Sequence, residues 1–558
     1  MSKSLTPITS GAFAMIAYLG LVACDGGSNN STGRDTIDED GLATHIATLA
    51  SDEFGGRAPF SEGEEKTVQY LASEFRAMGL QPGNGESYFQ DVPLVSIEAS
   101  SDTSLTITRT DGTQVGEFSY GDEVVIGTTR NVARAAINAS DMVFVGYGIN
   151  APEYGWNDYE GIDVKGKTVV ILVNDPGYAT RDETLFGGFA MTYYGRWTYK
   201  YEEAARQGAA GALIVHDTGA AGYGWGVVRG SWTGPQFDLV REDGNASRVA
   251  IEGWMTDEVA QTVFTAAGLE LEAMKTAAAT RGFKAVPMNL QATGAVANVL
   301  KYANSRNVVA VLPGSATPEE YFVYMAHWDH LGTDSKMEGD NIFNGALDNA
   351  TGTAALLEIA AAYASLDEAP ARSVIFLAVT AEEQGLLGSA YYAEHPVVPL
   401  AQTVAGLNMD GLGYYGPTND IVVTGYGASE LDAYIERATA LVGRRVAPDP
   451  EPEKGYYYRS DHFPLAKQGV PMIYPGTGYD HIEHGFEYGM QMAEDYVANR
   501  YHTPADEYDP TWDLSGAVLD TQLFFDVGLE IARSSTWPNW HETSEFRAIR
   551  DKSLASPK

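Results

Sequence analysis

From about Ala295 onward the chain alternates short apolar runs with amphipathic helical patterns, and few folds accommodate that rhythm. "NVVAVLP", "YFVYMAH", "SVIFLAVTAEE", "TVAGLNMD", "IVVTG" and "PMIYPG" read as strands, while "NATGTAALLEIAAAYASL", "SAYYAEH", "ELDAYIERATALV" and "DTQLFFDVGLEIARS" read as helices. Nearly continuous apolar strands need cover on both faces. The pattern therefore predicts an α/β fold, a mixed, largely parallel sheet sandwiched by helices. In such sheets ligands gather beyond the carboxyl ends of the strands, so those ends are where chemistry is to be sought.

Metal-competent side chains stand there. His327 and Asp329 close the "YFVYMAH" strand, Asp348 follows in "GALDNATG", Glu382 and Glu383 close "FLAVTAEE", Asp410 closes "GLNMD", and His502 comes far downstream in "YHTPADE". Zinc takes imidazole nitrogen and carboxylate oxygen where no thiolate is at hand. Two histidines and three acids suit two metals sharing one carboxylate, the arrangement that clamps a substrate oxygen and acidifies water. A further carboxylate, not bound to metal, must then move the proton. Adjacent Glu382 and Glu383 can divide these tasks, because consecutive residues leaving a strand point in different directions.

The ordered series H-x-D, D-N-x-x-G, E-E, N-x-D, S-D-H and Y-H-T-P-x-D resembles the di-zinc aminopeptidases of the bacterial leucyl aminopeptidase type, a family with glutamate carboxypeptidase-like and transferrin receptor-like members. The resemblance implies two Zn2+ ions per chain. It makes Asp348 the bridging ligand, His327 and Asp410 the further ligands of one zinc, and Glu383 and His502 those of the other. Glu382 would be the general base and then acid, and Asp329 would hydrogen-bond the imidazole of His327. A tyrosine three residues before S-D-H would donate to the developing oxyanion, which places that role on Tyr457, with Tyr456 and Tyr458 on either side. His330 matches no motif position and is expected to close the turn or line the cleft.

Other clusters carry less. Ser460, Asp461 and His462 are consecutive and cannot converge as a hydrolase triad, whose members come from separate parts of a fold; they are expected to support the site. "YDHIEHGFEYG" lacks the H-E-x-x-H helix spacing and reads as a polar loop at the cleft mouth. His45, His216, His395 and His541 have no nameable partners.

The domain reading follows from changes of texture. Residues 1–23 resemble a bacterial lipoprotein signal ending before Cys24, the single cysteine, and 24–36 form a flexible tether. Residues 37–97 are the N-terminal helical part of the peptidase domain, with Val68, Leu71, Phe75 and Met78 at helical spacing. Residues 98–294 are rich in short strands and Gly/Asn/Asp turns, and "YKYEEAARQGAAGALIVHD" resembles the protease-associated domain inserted in many such enzymes. The zinc peptidase domain occupies 295–540, and 541–558 is a C-terminal tail. The formal net charge of −39 argues against nucleic acid, whose phosphates require Lys and Arg.

Together these imply an envelope-located exopeptidase, lipid-anchored through Cys24 on the periplasmic or outer face. It would hydrolyse N-terminal residues from peptides through a hydroxide activated by two zincs. The alternatives are a carboxypeptidase or dipeptidase on the same fold, for which Arg444, Arg445 and Arg459 could hold a substrate carboxylate, or an inactive binding lipoprotein. The last would be expected to lack ligands. Glutaminyl cyclisation is a further activity of a related fold.

Overall fold

The computed structural model describes residues 31–100 and 103–555, so the expected signal segment and Cys24 lie outside the described residues. Among the described residues no helix is long and apolar enough to cross a membrane.

The main sheet runs, from one edge, through the short Gln81–Pro82 strand, the end of the Val286–Leu312 strand, Arg372–Val379, Thr317–His327, Thr403–Asn408, Met472–Thr477, Asp420–Thr424 and Arg445–Pro448. From Arg372–Val379 to Met472–Thr477 neighbours are parallel, and antiparallel pairs flank this centre. The alternation of side chains divides the core. Phe322, Tyr324, Val374, Phe376 and Ala378 face one helical layer, while Val323, Met325, Ile375, Leu377 and Val379 face the other. The first layer holds Glu39–Leu49, Glu62–Ala77, Thr351–Ala364 and Ser515–Arg533, and Phe75, Tyr363 and Phe525 meet Phe376 or each other there. The second holds Leu387–Glu394 and His462–Lys467, which bring Tyr392 and Leu465. Helices thus cover both faces, as apolar strands require.

The Glu62–Ala77 helix starts where the sequence offers a cap: Ser61 accepts from the Glu64 N–H, and Val68, Leu71 and Phe75 are buried at helical spacing. A second sheet is built from residues between 98 and 294. Arg134–Phe144, Thr168–Leu172, Gly211–Val215 and Ile251–Met255 run parallel, with Trp197–Arg206 leading into the third. The strand Val286–Leu312 belongs to both sheets: Leu290–Ala295 pairs with Ser104–Arg109, and Val308–Leu312 pairs with Arg372–Val379. The expected boundary at 294/295 therefore falls inside one continuous strand, with no linker between the two sheets. The expected tail is helical over Arg547–Ala555, with Arg550 buried and donating to the carbonyls of Thr403 and Val404.

Candidate metal centre

The site stands at the carboxyl edge of the parallel strands. Thr317–His327 ends in His327, and the last residue of Thr403–Asn408 lies two before Asp410. Arg372–Val379 is followed by a turn at Ala381, whose φ of 54° is left-handed. A non-glycine residue held there costs of order 1 kcal/mol, and the turn it makes sends Glu382 and Glu383 into the same cleft. Asp348 precedes the helix Thr351–Ala364. His502, with φ 56°, comes from the segment after the helix Phe486–Asn499.

The Nε2 atoms of His327 and His502, the two candidate ligand nitrogens, each face two carboxylates. His327 Nε2 is 3.1 Å from Asp410 Oδ1 and 3.3 Å from Asp348 Oδ1. His502 Nε2 is 3.2 Å from Asp348 Oδ2 and 3.1 Å from Glu383 Oε2. Asp348 thus offers one oxygen to each half of the centre. Burial would lower the His327 imidazole, but Asp410 and Asp348 hold it well above its usual value; His502 is likewise held up, at about 10, by Asp348 and Glu383. A proton shared between two carboxylates satisfies such a nitrogen only in part, whereas a divalent cation between the three groups satisfies all of them. The donor set therefore fits a pair of metals.

Support comes from neighbours. Ser460 Oγ donates to Asp410 Oδ2 at 2.6 Å and receives the Asn408 amide at 2.8 Å, which gives the S-D-H motif a holding role. Asp461 accepts from Ser389, and His462 lies between the rings of Tyr457 and Tyr474. Asp506, the final residue of Y-H-T-P-x-D, accepts from the Leu347 and Asp348 N–H groups at 3.0 and 3.1 Å and so fixes the backbone that presents the shared carboxylate. Its role has no local pattern in sequence beyond its place in that motif.

Two expectations change, those for Asp329 and Tyr457. Asp329 does not bond the His327 ring with its carboxylate: Oδ1 is 3.9 Å from Nδ1, while the Asp329 main-chain oxygen is at 3.2 Å. The carboxylate instead accepts from the Glu382 N–H at 3.1 Å, so it holds the general-base candidate's backbone, and burial pushes it up to about 8. His330, expected to close the turn or line the cleft, has its Nδ1 2.6 Å from Glu383 Oε1. Ligand atoms of His330, Asp348 and Glu383 lie within 4.8 Å of one another, as do those of His327, Asp348 and Asp410.

Tyr457 is not among the residues brought together. It lies in the single turn Tyr456–Tyr458, its hydroxyl donates to the Met472 carbonyl at 3.4 Å, and besides burial the charges that raise its pKa are Glu545 and Asp432. Two other tyrosines border the metal carboxylates. Tyr474 donates to the Asp410 carbonyl at 3.4 Å, and burial, with Asp410, Glu382 and Asp348, holds its hydroxyl protonated. Tyr501 lies flat on His502 with ring centroids 3.8 Å apart and feels Asp348, Glu383 and Glu382. Adjacency to a ligand in "YHTP" was the available signal for Tyr501.

The remaining clusters settle as local structure. In the 479–485 loop, which leads into the helix Phe486–Asn499, His481 Nδ1 accepts from the Glu483 and His484 N–H groups, and Asp480 pairs with Arg445. His45 bonds Tyr70, His216 bonds the Tyr223 carbonyl, His395 stacks on Tyr391, and His541 is exposed near Asp432.

Fold and site together define an α/β protein with a candidate two-cation centre at the carboxyl edge of its sheet. Residues 307–525, which hold every predicted ligand, match the model of peptidase family M28. An aminopeptidase from Aneurinibacillus sp. strain AM-1 shares the fold, at a TM-score of 0.50 and 19% identity over 90% of this chain and 96% of that one. Over 134 residues the chain is 36% identical to a Pyricularia oryzae protein named "Probable zinc metalloprotease", covering 24% of each. Over 129 residues it is 33% identical to the Rattus norvegicus aminopeptidase NAALADL1, covering 22% of this chain and 16% of that one. The similarity to these relatives thus spans less than a quarter of their length.

Proposed function

We propose that the chain is a zinc-dependent exopeptidase that removes N-terminal residues from peptides. The observation that carries this reading is the pair of imidazoles, His327 and His502, each aimed at two carboxylates and sharing Asp348. Two zinc ions held there would supply Lewis acidity to a scissile carbonyl and to a water molecule. Glu382 lies beside them, and burial together with Asp410 and Glu383 pushes its carboxyl well above the usual range despite His327. As the carboxylate, Glu382 would accept a proton from the attacking water and, once protonated, would pass it to the departing amine. Tyr501 is the phenol best placed to donate to the oxygen that gains charge, and Tyr474 forms the wall beside Asp410.

The amine end of the peptide is favoured by charge. A carboxylate beside the centre that is not engaged with zinc would attract an α-ammonium group and repel an α-carboxylate, whereas the ligand carboxylates are offset by the charge of the ions they hold. Of the arginines that could have reversed this, Arg444 pairs with Asp520 at 2.7 Å, Arg445 with Asp480 at 2.7 Å, and Arg459 donates to the Lys454 carbonyl.

The test is hydrolysis, followed by mass, of a Leu-initiated peptide and its N-acetylated twin by the zinc-loaded protein. Release of Leu from the free peptide alone is expected. Loss of C-terminal residues from both would overturn the amine-end reading, and cleavage of neither with zinc bound would overturn the enzyme reading for this substrate class. The anchor belongs to the same proposal: Cys24 carries lipid and holds the peptidase at the cell envelope. Labelled fatty acid should enter the wild-type chain in cells and not the Cys24→Ser variant; equal labelling removes the anchor from the proposal.

A further inference from the structure

Arg57 lies outside residues 307–525, at the end of the turn Asp52–Arg57 between the first two helices of the peptidase fold. It is 1% exposed, and its guanidinium touches no carboxylate. Every acceptor is a main-chain carbonyl: Nε donates to Trp328 at 2.9 Å, Nη1 to Leu49 at 2.7 Å and Asn344 at 2.6 Å, and Nη2 to Gly345 at 2.7 Å. Trp328 follows His327 directly, and Asn344 and Gly345 lead into Asp348. One planar fork thus ties the strand end that presents one ligand to the turn that presents the shared ligand, and both to the end of the Glu39–Leu49 helix.

The contact is mutual and close. The His330 N–H donates to the Arg57 carbonyl at 3.4 Å. Gly56 has a φ of 67°, and a Cβ there would meet the carbonyl oxygens of Gly332 and Phe343 at 2.5 Å, so the turn lies directly against both ligand-bearing loops. Burying a guanidinium is costly, and a side chain needed only for filling would be apolar. What the fork provides is a set of fixed directions, which a lysine ammonium on a flexible stem does not reproduce. Arg57 also places a positive charge near Asp506, Asp329, Asp348 and Glu383.

We propose that Arg57 is a positioning residue of the metal centre, setting the spacing between His327 and Asp348, so that cation affinity resides partly in the N-terminal segment. The inference rests on the two-metal reading above.

The test compares the full chain with three variants: Arg57→Lys, Gly56→Ala and Arg372→Lys. The last alters another fully buried arginine that caps carbonyls, those of Ile531 and Thr536, away from the site. Zinc affinity is read by competition with a chromophoric chelator, alongside the Tm of the metal-free protein and kcat and KM at saturating zinc. Arg57→Lys should weaken zinc binding by about 10- to 100-fold and lower kcat with KM nearly constant. Gly56→Ala, which keeps the guanidinium but displaces the turn, should weaken zinc binding in the same direction. Arg372→Lys should lower Tm alone. Wild-type zinc affinity in folded Arg57→Lys overturns the proposal; if that variant does not fold, wild-type affinity in Gly56→Ala overturns it. A wild-type chain that binds no zinc overturns the two-metal reading instead.

Discussion

Glu382 and Glu383 are neighbours in sequence with opposite duties, and the structure separates them through their contacts. Glu383 is gripped by His330 and His502, which hold its carboxyl at about 2 although burial would raise it, whereas Glu382 is held through its backbone, its N–H donating to Asp329 and its carbonyl accepting from Gly385 and Leu386. Glu382→Gln should therefore lower kcat by about 10²- to 10⁴-fold while bound zinc, measured by atomic absorption, stays at the wild-type level. Zinc lost in parallel would make Glu382 a ligand. The tyrosines give a paired expectation: Tyr501→Phe should cost about 10²- to 10³-fold in kcat, the scale of one oxyanion donor, and Tyr457→Phe less than about 3-fold, read in the same peptide assay. The reverse order would return the donor role to Tyr457. That the candidate ligands would meet was legible because a strand end followed by an acid or histidine is a local signal that repeats. The direction of a hydroxyl is not local, since Tyr457 turns to Met472 only because Gly425 leaves room for its ring. Arg57, which bonds only main-chain atoms, leaves no signature of its function in its neighbours.

The alternation of strand and helix after Ala295 was legible because buried parallel strands need apolar runs on both faces. What escaped it is the continuity of Val286–Leu312, divided in the sequence reading between two domains at 294/295, whose polar middle pairs with Phe89–Ala99 over Asn298–Val308. The strand that carries this pairing continues into the second sheet and so joins the two through its own backbone. Within the second sheet, Glu252 on the Ile251–Met255 strand is buried, and burial pushes it up to about 7 although Thr129 donates to it. Its folded pKa is raised, so the unfolded chain releases this proton first. The contribution of this group to stability is present in full at or below pH ~4.5, falls as pH rises towards ~7, and is level above that. Glu252→Gln should thus be near neutral at pH 4.5 and stabilising at pH 8, on the order of 2–3 kcal/mol, in urea titrations at the two values. An equal effect at both would mean that the carboxyl is ionised in the fold.

At the scale of the whole molecule, a net charge of −39 works against compactness, since self-repulsion favours expanded states. Apolar contact between the two lobes must offset it, and much of that contact is aromatic. Tyr193, from the residues between 98 and 294, packs on Phe463 with centroids 5.0 Å apart; Phe463 meets Phe546 at 6.3 Å, and Phe546 meets Trp540 at 5.0 Å. Glu545 adds a polar tie, accepting from the Tyr193 N–H and the Tyr458 hydroxyl, both at 3.3 Å. The segment after residue 540 looked like a tail because it is short and polar in composition, and only the tertiary structure shows Phe546 buried at 3% exposure between the lobes. The loop that carries Ser460 lies in the same contact, which joins lobe packing to the Asp410 support. Phe546→Ala should therefore cost about 3–5 kcal/mol and act on both lobes at once. In denaturant titrations, tryptophan emission and peptidase activity should shift together to lower concentration. A shift in emission with activity unmoved would confine the residue's role to the second lobe and leave the site's support independent of the C-terminal segment.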